Sequence, residues 1–203
     1  MNKDILRTIE SISKDSIAEE RKALLEPLTG YIRKKIEAGQ TIRLNFICTH
    51  NSRRSHLSQV WAQTMAHYFG IKDVFCYSGG TEATAMFPKV AETLAGQGFS
   101  VQKLGKMDNP VYAIKYAENE APVICFSKEY SSEFNPKKEF GAIMTCNNAD
   151  QGCPLVIGAE ARFPIKYDDP KSSDGTPQQL QIYLERSLQI AAEMFHVFSQ
   201  INR

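Results

Sequence analysis

The stretch ICTHNSRRSH, residues 47–56, runs an apolar segment into Cys48 and follows it with Thr49, His50, Asn51, Ser52, Arg53, Arg54 and Ser55. Cysteine attacks as the thiolate, and a free thiol at neutral pH is mostly protonated. A turn between a strand and a helix supplies what favours the anion. It offers unpaired amides at the helix N-terminus, backbone amides curled around the loop, and a nearby guanidinium. The same groups bind a tetrahedral oxyanion. Arg54 can grip two oxygens of such an anion in bidentate fashion, as a lysine could not, and Ser55 can donate a hydrogen bond to the sulfur. Arg53 either adds to anion capture or faces solvent. Taken alone, Cys48 also reads as a small buried hydrophobe beside a solvated basic turn.

The other chemistry-bearing residues lie far downstream. Cys146 and Cys153 bracket the segment NNADQG, and Asp168 and Asp169 precede Pro170. The two cysteines suit a redox pair, a half-set of metal ligands with His50 or His56, or an inert pair. No second Cys-x-x-Cys or His-x-x-His completes a zinc set, so no metal is expected. The aspartates read by themselves as caps of a turn before proline. Cys76 and Cys125 lie inside apolar runs and read as core. His56, His67 and His196 fall on predicted helices, where a structural or solvated role is the default.

These groups need a sheet to position them. Apolar strands are expected over 42–47, 74–77 and 142–145, with a helix over 55–69 closed by Gly70 and another over 88–96. Segments 111–116 and 123–126 flank Glu118-Asn119-Glu120 as a plausible hairpin. Thr176 and Pro177 read as the N-cap and first residue of a long final helix, whose stripe is Leu180, Leu184, Leu188, Ala191, Phe195 and Phe198. Residues 1–38 read as helix, with a capping-box pattern at Ser16 and Glu19 and with Pro27 and Gly30 kinking or splitting it. Strands alternating with helices predict an α/β fold with a mainly parallel sheet. In such sheets ligands bind outside the carboxyl ends of the strands, where both Cys48 and Cys146 fall.

The 203 residues suit one sizeable core. A net charge of +1 leaves no bulk field for nucleic acid or an anionic membrane, so anion selectivity must be local. The first residues show no apolar signal region and no run reaches membrane-spanning length. With an odd cysteine count of 5, the expected location is the reducing cytoplasm.

Cys48-x5-Arg54-Ser55 between strand and helix resembles the signature of the low-molecular-weight protein tyrosine phosphatases and of the thioredoxin-coupled arsenate reductases built on the same fold. TCNNADQGCP, residues 145–154, is similar to the reductase segment that carries two further redox cysteines. YDDP, residues 167–170, looks like the general-acid loop, and YSGGTEATAMFP, residues 77–88, resembles the loop after the second strand. The resemblance spans roughly residues 42–201. It implies a four-stranded parallel sheet flanked by helices over 41–203, with 1–40 as an N-terminal helical extension.

It also implies roles. Cys48 is the nucleophile, the loop from Thr49 to Ser55 binds the oxyanion, and Arg54 clamps it. Asp169 is the acid, and Cys146 and Cys153 relay a disulfide to thioredoxin or a similar thiol donor. No cofactor is implied. The closer likeness is to the reductases. The phosphatases need only Cys48, Arg54 and the acid, and carry aromatic residues where Lys171-Ser172-Ser173 stands here. The second enzymatic reading is phosphomonoester hydrolysis through a cysteinyl-phosphate. A third is a non-catalytic oxyanion-binding or thiol redox-sensing module. The sequence departs from the family at His50, where glycine is usual, and at Arg53, often cysteine. A relay demands motion as well: seven residues of regular helix set Cα atoms about 10 Å apart, beyond the roughly 7 Å that a disulfide tolerates.

Overall fold

The computed structural model describes residues 1–12, 17–152 and 155–201. Strands β1 (Ile42–Cys48), β2 (Val74–Gly80), β6 (Phe140–Met144) and β7 (Ala159–Phe163) form one sheet in the order β2-β1-β6-β7. Every pairing in it is parallel. A second, antiparallel sheet is built from β3 (Ser100–Leu104), β4 (Val111–Lys115) and β5 (Val123–Cys125). The helices are α1 (Lys3–Ser11), α2 (Glu19–Glu37), α3 (Arg54–Tyr68), α4 (Pro88–Gly96), α5 (Asn147–Gly152) and α6 (Gln179–Ser199). A 3₁₀ turn covers Pro170–Ser173.

β1 is interior to its sheet and buried at all but one position, the continuous apolar pattern expected of a strand covered on both faces. The predicted hairpin is present as β4 and β5, but in the second sheet. The fourth parallel strand, β7, carries Glu160 and Arg162 and sits at an edge, so it lacks the apolar run that marks a buried strand. At the opposite edge, side-chain amides occupy the open hydrogen-bonding positions of β2. Gln63 donates to Val74 O (2.9 Å) and accepts from Cys76 N (2.9 Å), while Gln59 donates to Cys76 O (3.0 Å) and Asn135 to Ser78 O (3.0 Å). At those positions the edge offers no open backbone group to a further strand, and beyond them Gly80 bridges in parallel to Glu129.

Three expectations are corrected. Pro27 and Gly30 do not break the N-terminal helix. α2 runs through both, held by Leu25, Leu28 and Ile32, each 0% exposed, and the break falls upstream between α1 and α2. Glu19 opens α2, and the Ser16 half of the capping box lies outside the described residues. Thr176 does not cap α6. Its hydroxyl donates to Ser173 O (2.8 Å), closing the preceding turn, and the helix starts at Gln179. The core face of α6 runs through Tyr183, Ser187, Ile190, Met194 and Val197, leaving Leu180 and Leu184 exposed. Trp61 sets that register by donating to Ser187 Oγ at 2.9 Å.

Candidate active site

Cys48 ends β1, and α3 begins at Arg54, so residues 49–53 form the turn between them. Its carbonyls point outward. Cys48 O accepts from Thr81 N (3.1 Å), Thr49 O from Glu82 N (2.9 Å) and Ser52 O from Phe87 N (3.0 Å). His50 O accepts from Ser127 Oγ (2.8 Å), and Asn51 O pairs with His56 Nε2 (2.8 Å). No acceptor is found among the described residues for the N–H groups of residues 49–55. A curled run of unpaired amides at a helix start is an anion-binding concavity. The loop packs closely on its neighbour: a Cβ on Gly80 would lie 2.3 Å from Glu82 O and 2.6 Å from Thr49 O, so only glycine fits there.

Cys48 is 4% exposed, with Sγ 3.1 Å from Ser55 Oγ. Lys128 N donates to Asn51 Oδ1 (3.0 Å), which turns Asn51 Nδ2 toward Ser55 Oγ (2.8 Å). Ser55 Oγ therefore accepts from Asn51, and its hydroxyl can donate to the sulfur. The left-handed backbone that the loop requires falls on Asn51 (φ 43°) rather than on His50. Asparagine tolerates that region. The His50 imidazole instead lies 3.4 Å from Glu82 Oε2, half exposed.

His56 is fully buried, and burial pushes its pKa down to about 3. The ring is neutral, with Nε2–H donating to Asn51 O and Nδ1 accepting from Ser78 Oγ (3.2 Å). It supports the loop backbone. Lys128, also buried, has its pKa pushed down to about 8 by desolvation. Its ammonium donates to Phe126 O (3.2 Å) over the Phe126 ring.

Arg54 reaches across to the segment after β7. Its Nη1 donates to Tyr167 O (3.0 Å) and its Nη2 to Asp169 Oδ2 (2.5 Å). Asp168, 93% exposed, pairs with Arg186 instead. The Arg53 side chain is largely buried, 11% exposed. Its Nη2 donates to Asp174 Oδ2 (2.5 Å) and its Nε to Tyr183 Oη (2.6 Å), with the guanidinium 4.1 Å from the Phe87 ring centroid. The Arg53 side chain thus links the loop to a distant segment, while its N–H belongs to the curled run of amides. Burial alone would raise Asp174, but hydrogen bonds from Tyr183, Gln179 and Arg53 outweigh it and hold the carboxyl below its usual value.

Cys146, 2% exposed, follows β6, the immediate neighbour of β1. Its sulfur lies 3.4 Å from Thr49 Oγ1 and accepts from Ala149 N (3.3 Å), so the thiol caps α5. Cys48 and Cys146 share one small apolar cluster, against which Tyr130 packs. Cys153 lies outside the described residues. Cys76 and Cys125 are core thiols; burial pushes Cys125 up to about 12 and Cys76 higher still. Ser127, Lys128 and Tyr130 escaped the sequence reading, although they follow the carboxyl end of β5, the kind of position that drew attention to Cys48. Asp174 and Tyr183 carried no local signal.

A family model described as low molecular weight phosphotyrosine protein phosphatase matches residues 43–132. That range holds the Cys48 loop and stops short of Cys146 and Asp169. A search of curated proteins finds no match. Among solved structures, a YwlE mutant from Bacillus subtilis is 14% identical, with 80% of this chain and 100% of that one covered and a TM-score of 0.52. A low molecular weight protein tyrosine phosphatase from T. tengcongensis is 16% identical, covering 79% and 99%, with a TM-score of 0.51. An arsenate reductase in a phosphate-binding state is 15% identical, covering 79% and 99%, with a TM-score of 0.49. The chain therefore carries the fold of the low molecular weight phosphotyrosine protein phosphatase superfamily and, over residues 43–132, its sequence pattern.

Proposed function

We propose that this protein is a thiol-dependent arsenate reductase. The observation that carries the reading is Cys146, a second thiol whose sulfur lies 3.4 Å from Thr49 Oγ1 of the anion loop. A phosphatase has no use for it. In this reading Cys48 attacks arsenic(V) held by the loop amides and Arg54, forming an S–As bond. Asp169 protonates the departing oxygen, which leaves as water. Cys146, as thiolate, then attacks Cys48 Sγ. The S–S bond forms, the S–As bond breaks, and its electron pair reduces arsenic to arsenite. Cys153 attacks Cys146, freeing Cys48 and leaving a Cys146–Cys153 disulfide for a dithiol protein such as thioredoxin.

Arsenate-dependent oxidation of reduced thioredoxin tests this reading. It should be present in the wild type and abolished in Cys146→Ser and in Cys153→Ser. The second reading, phosphomonoester hydrolysis, is favoured by Tyr130, a ring packed against the cluster that holds Cys48 and available to stack on an aryl phosphate. Aryl-phosphate turnover that survives both serine variants, without arsenate-dependent thiol oxidation, would establish that reading and refute the first.

A further inference from the structure

The adjacent arginines of the anion loop reach one distant segment at two points. Arg54 meets Asp169 and Arg53 meets Asp174, with the 3₁₀ turn Pro170–Ser173 between them. On the reading proposed above, the first of these ties cannot last through a turnover. Arg54 must turn its fork onto the oxyanion, and Asp169 must carry a proton before it can donate one. Handing Arg54 to the substrate cuts one of the two links between the loop and the segment bearing the acid.

We infer that Arg53 and Asp174 form the lasting tie, and that Arg53 is a positioning residue for Asp169 rather than an anion ligand. The pair belongs to a closed ring of hydrogen bonds. Arg53 donates to both Asp174 Oδ2 and Tyr183 Oη, and Tyr183 Oη donates to Asp174 Oδ1 at 2.7 Å. Gln179 Nε2 adds a further bond to Asp174 Oδ1 at 3.0 Å. Tyr183 is 0% exposed on α6, so the ring is anchored in the core. Phe87, beneath the guanidinium, donates its own N–H to Ser52 O, which returns the linkage to the anion loop. The turn after Asp169 is internally braced, with Asp169 Oδ1 accepting from Lys171 N (3.0 Å) and Ser173 Oγ donating to Pro170 O (2.7 Å). Holding Asp174 therefore holds Asp169. None of this touches the reacting atoms. A small displacement of a catalytic group is enough to slow chemistry by orders of magnitude.

The test is a kinetic cycle of Arg53→Met, Arg53→Lys and Asp174→Asn, the first also built in an Asp169→Asn background. Rates are expressed per folded protein, measured from the amplitude of the urea unfolding transition, and use whichever of arsenate and aryl phosphate the wild type turns over. Arg53→Met should lower kcat by about tenfold or more with KM changed less than about threefold. It should also flatten the high-pH limb of the kcat profile, which reports a protonated acid. Arg53→Lys should recover part of the rate, Asp174→Asn should mimic the loss, and Arg53→Met should cost nothing further once Asp169 is asparagine. Equal losses in both backgrounds, or an unchanged rate per folded protein, would overturn the inference while leaving the acid in place. An Asp169→Asn protein with wild-type kcat and profile is a separate failure, which removes the acid assignment and the inference with it.

Discussion

Asn51 carries the left-handed backbone of the anion loop, orients Ser55 through its side chain and accepts from His56 through its carbonyl. One residue thus couples loop shape to the Ser55 contact with Cys48, and no left-handed dihedral falls on His50. His56 makes this support dependent on pH. The unfolded chain binds its imidazole proton near 6.5 and the folded protein only near 3. Between those values the unfolded state holds more protons, so the stabilisation is complete above pH 6.5 and is lost as pH falls. Urea denaturation from pH 7 to 4 should show stability falling more steeply in the wild type than in His56→Gln, by up to about 1.4 kcal/mol per pH unit. Parallel slopes would show that His56 is not held neutral.

Among the elements, α5 has the least regular support and the largest demand placed on it. It spans Asn147–Gly152, is capped by the Cys146 thiol, and is fastened by Asp150 to Arg162 (2.5 Å) and Lys166 (2.8 Å). A Cys146–Cys153 disulfide is incompatible with a straight helix across that interval. Hydrogen exchange should therefore show the amides of 147–152 protected in reduced protein and exposed after oxidation. Equal protection in the two states would rule out the relay. β2 shows the opposite design, since Gln59, Gln63 and Asn135 hold its edge backbone groups at Val74, Cys76 and Ser78.

On the scale of the whole molecule, the N-terminal helices add to the main core. Ile5, Ile9, Leu25, Leu28 and Ile32 belong to the same buried cluster as Leu44, Trp61 and Ile190. Polar ties reinforce the packing. Arg21 bonds Glu193 with two contacts of 2.8 Å, and Lys35 pairs with Glu160 of β7 at 2.6 Å. The Arg21 guanidinium also lies 5.0 Å from the ring of Tyr167, two residues before Asp169, so α2 backs the segment that meets Arg54. Leu28→Ala should destabilise the protein by about 2–5 kcal/mol, the range for a fully buried leucine. Chemical denaturation measures it, and a loss below about 1 kcal/mol would mean that α2 is a detachable cover.

What the sequence determined by itself is local. Cys48, the five-residue turn, Arg54 and Ser55 are consecutive, and an apolar strand running into a polar turn and then a helix leaves one way to curl the amides. The core roles of Cys76 and Cys125 followed from the apolar runs around them. Partners across the fold were not legible in periodicity or spacing, and Cys146 and Asp169 were named only through the family resemblance. Thr49 and Cys146 are 97 residues apart, Arg54 and Asp169 are 115, and Arg53 and Asp174 are 121. Periodicity reports which face of an element is buried but not which element lies beside it. Only the strand order that sets β6 against β1 brought Cys146 to the loop. Only the path of the chain after β7 put Asp169 rather than Asp168 beside Arg54, and gave Arg53 its place in the ring with Asp174 and Tyr183.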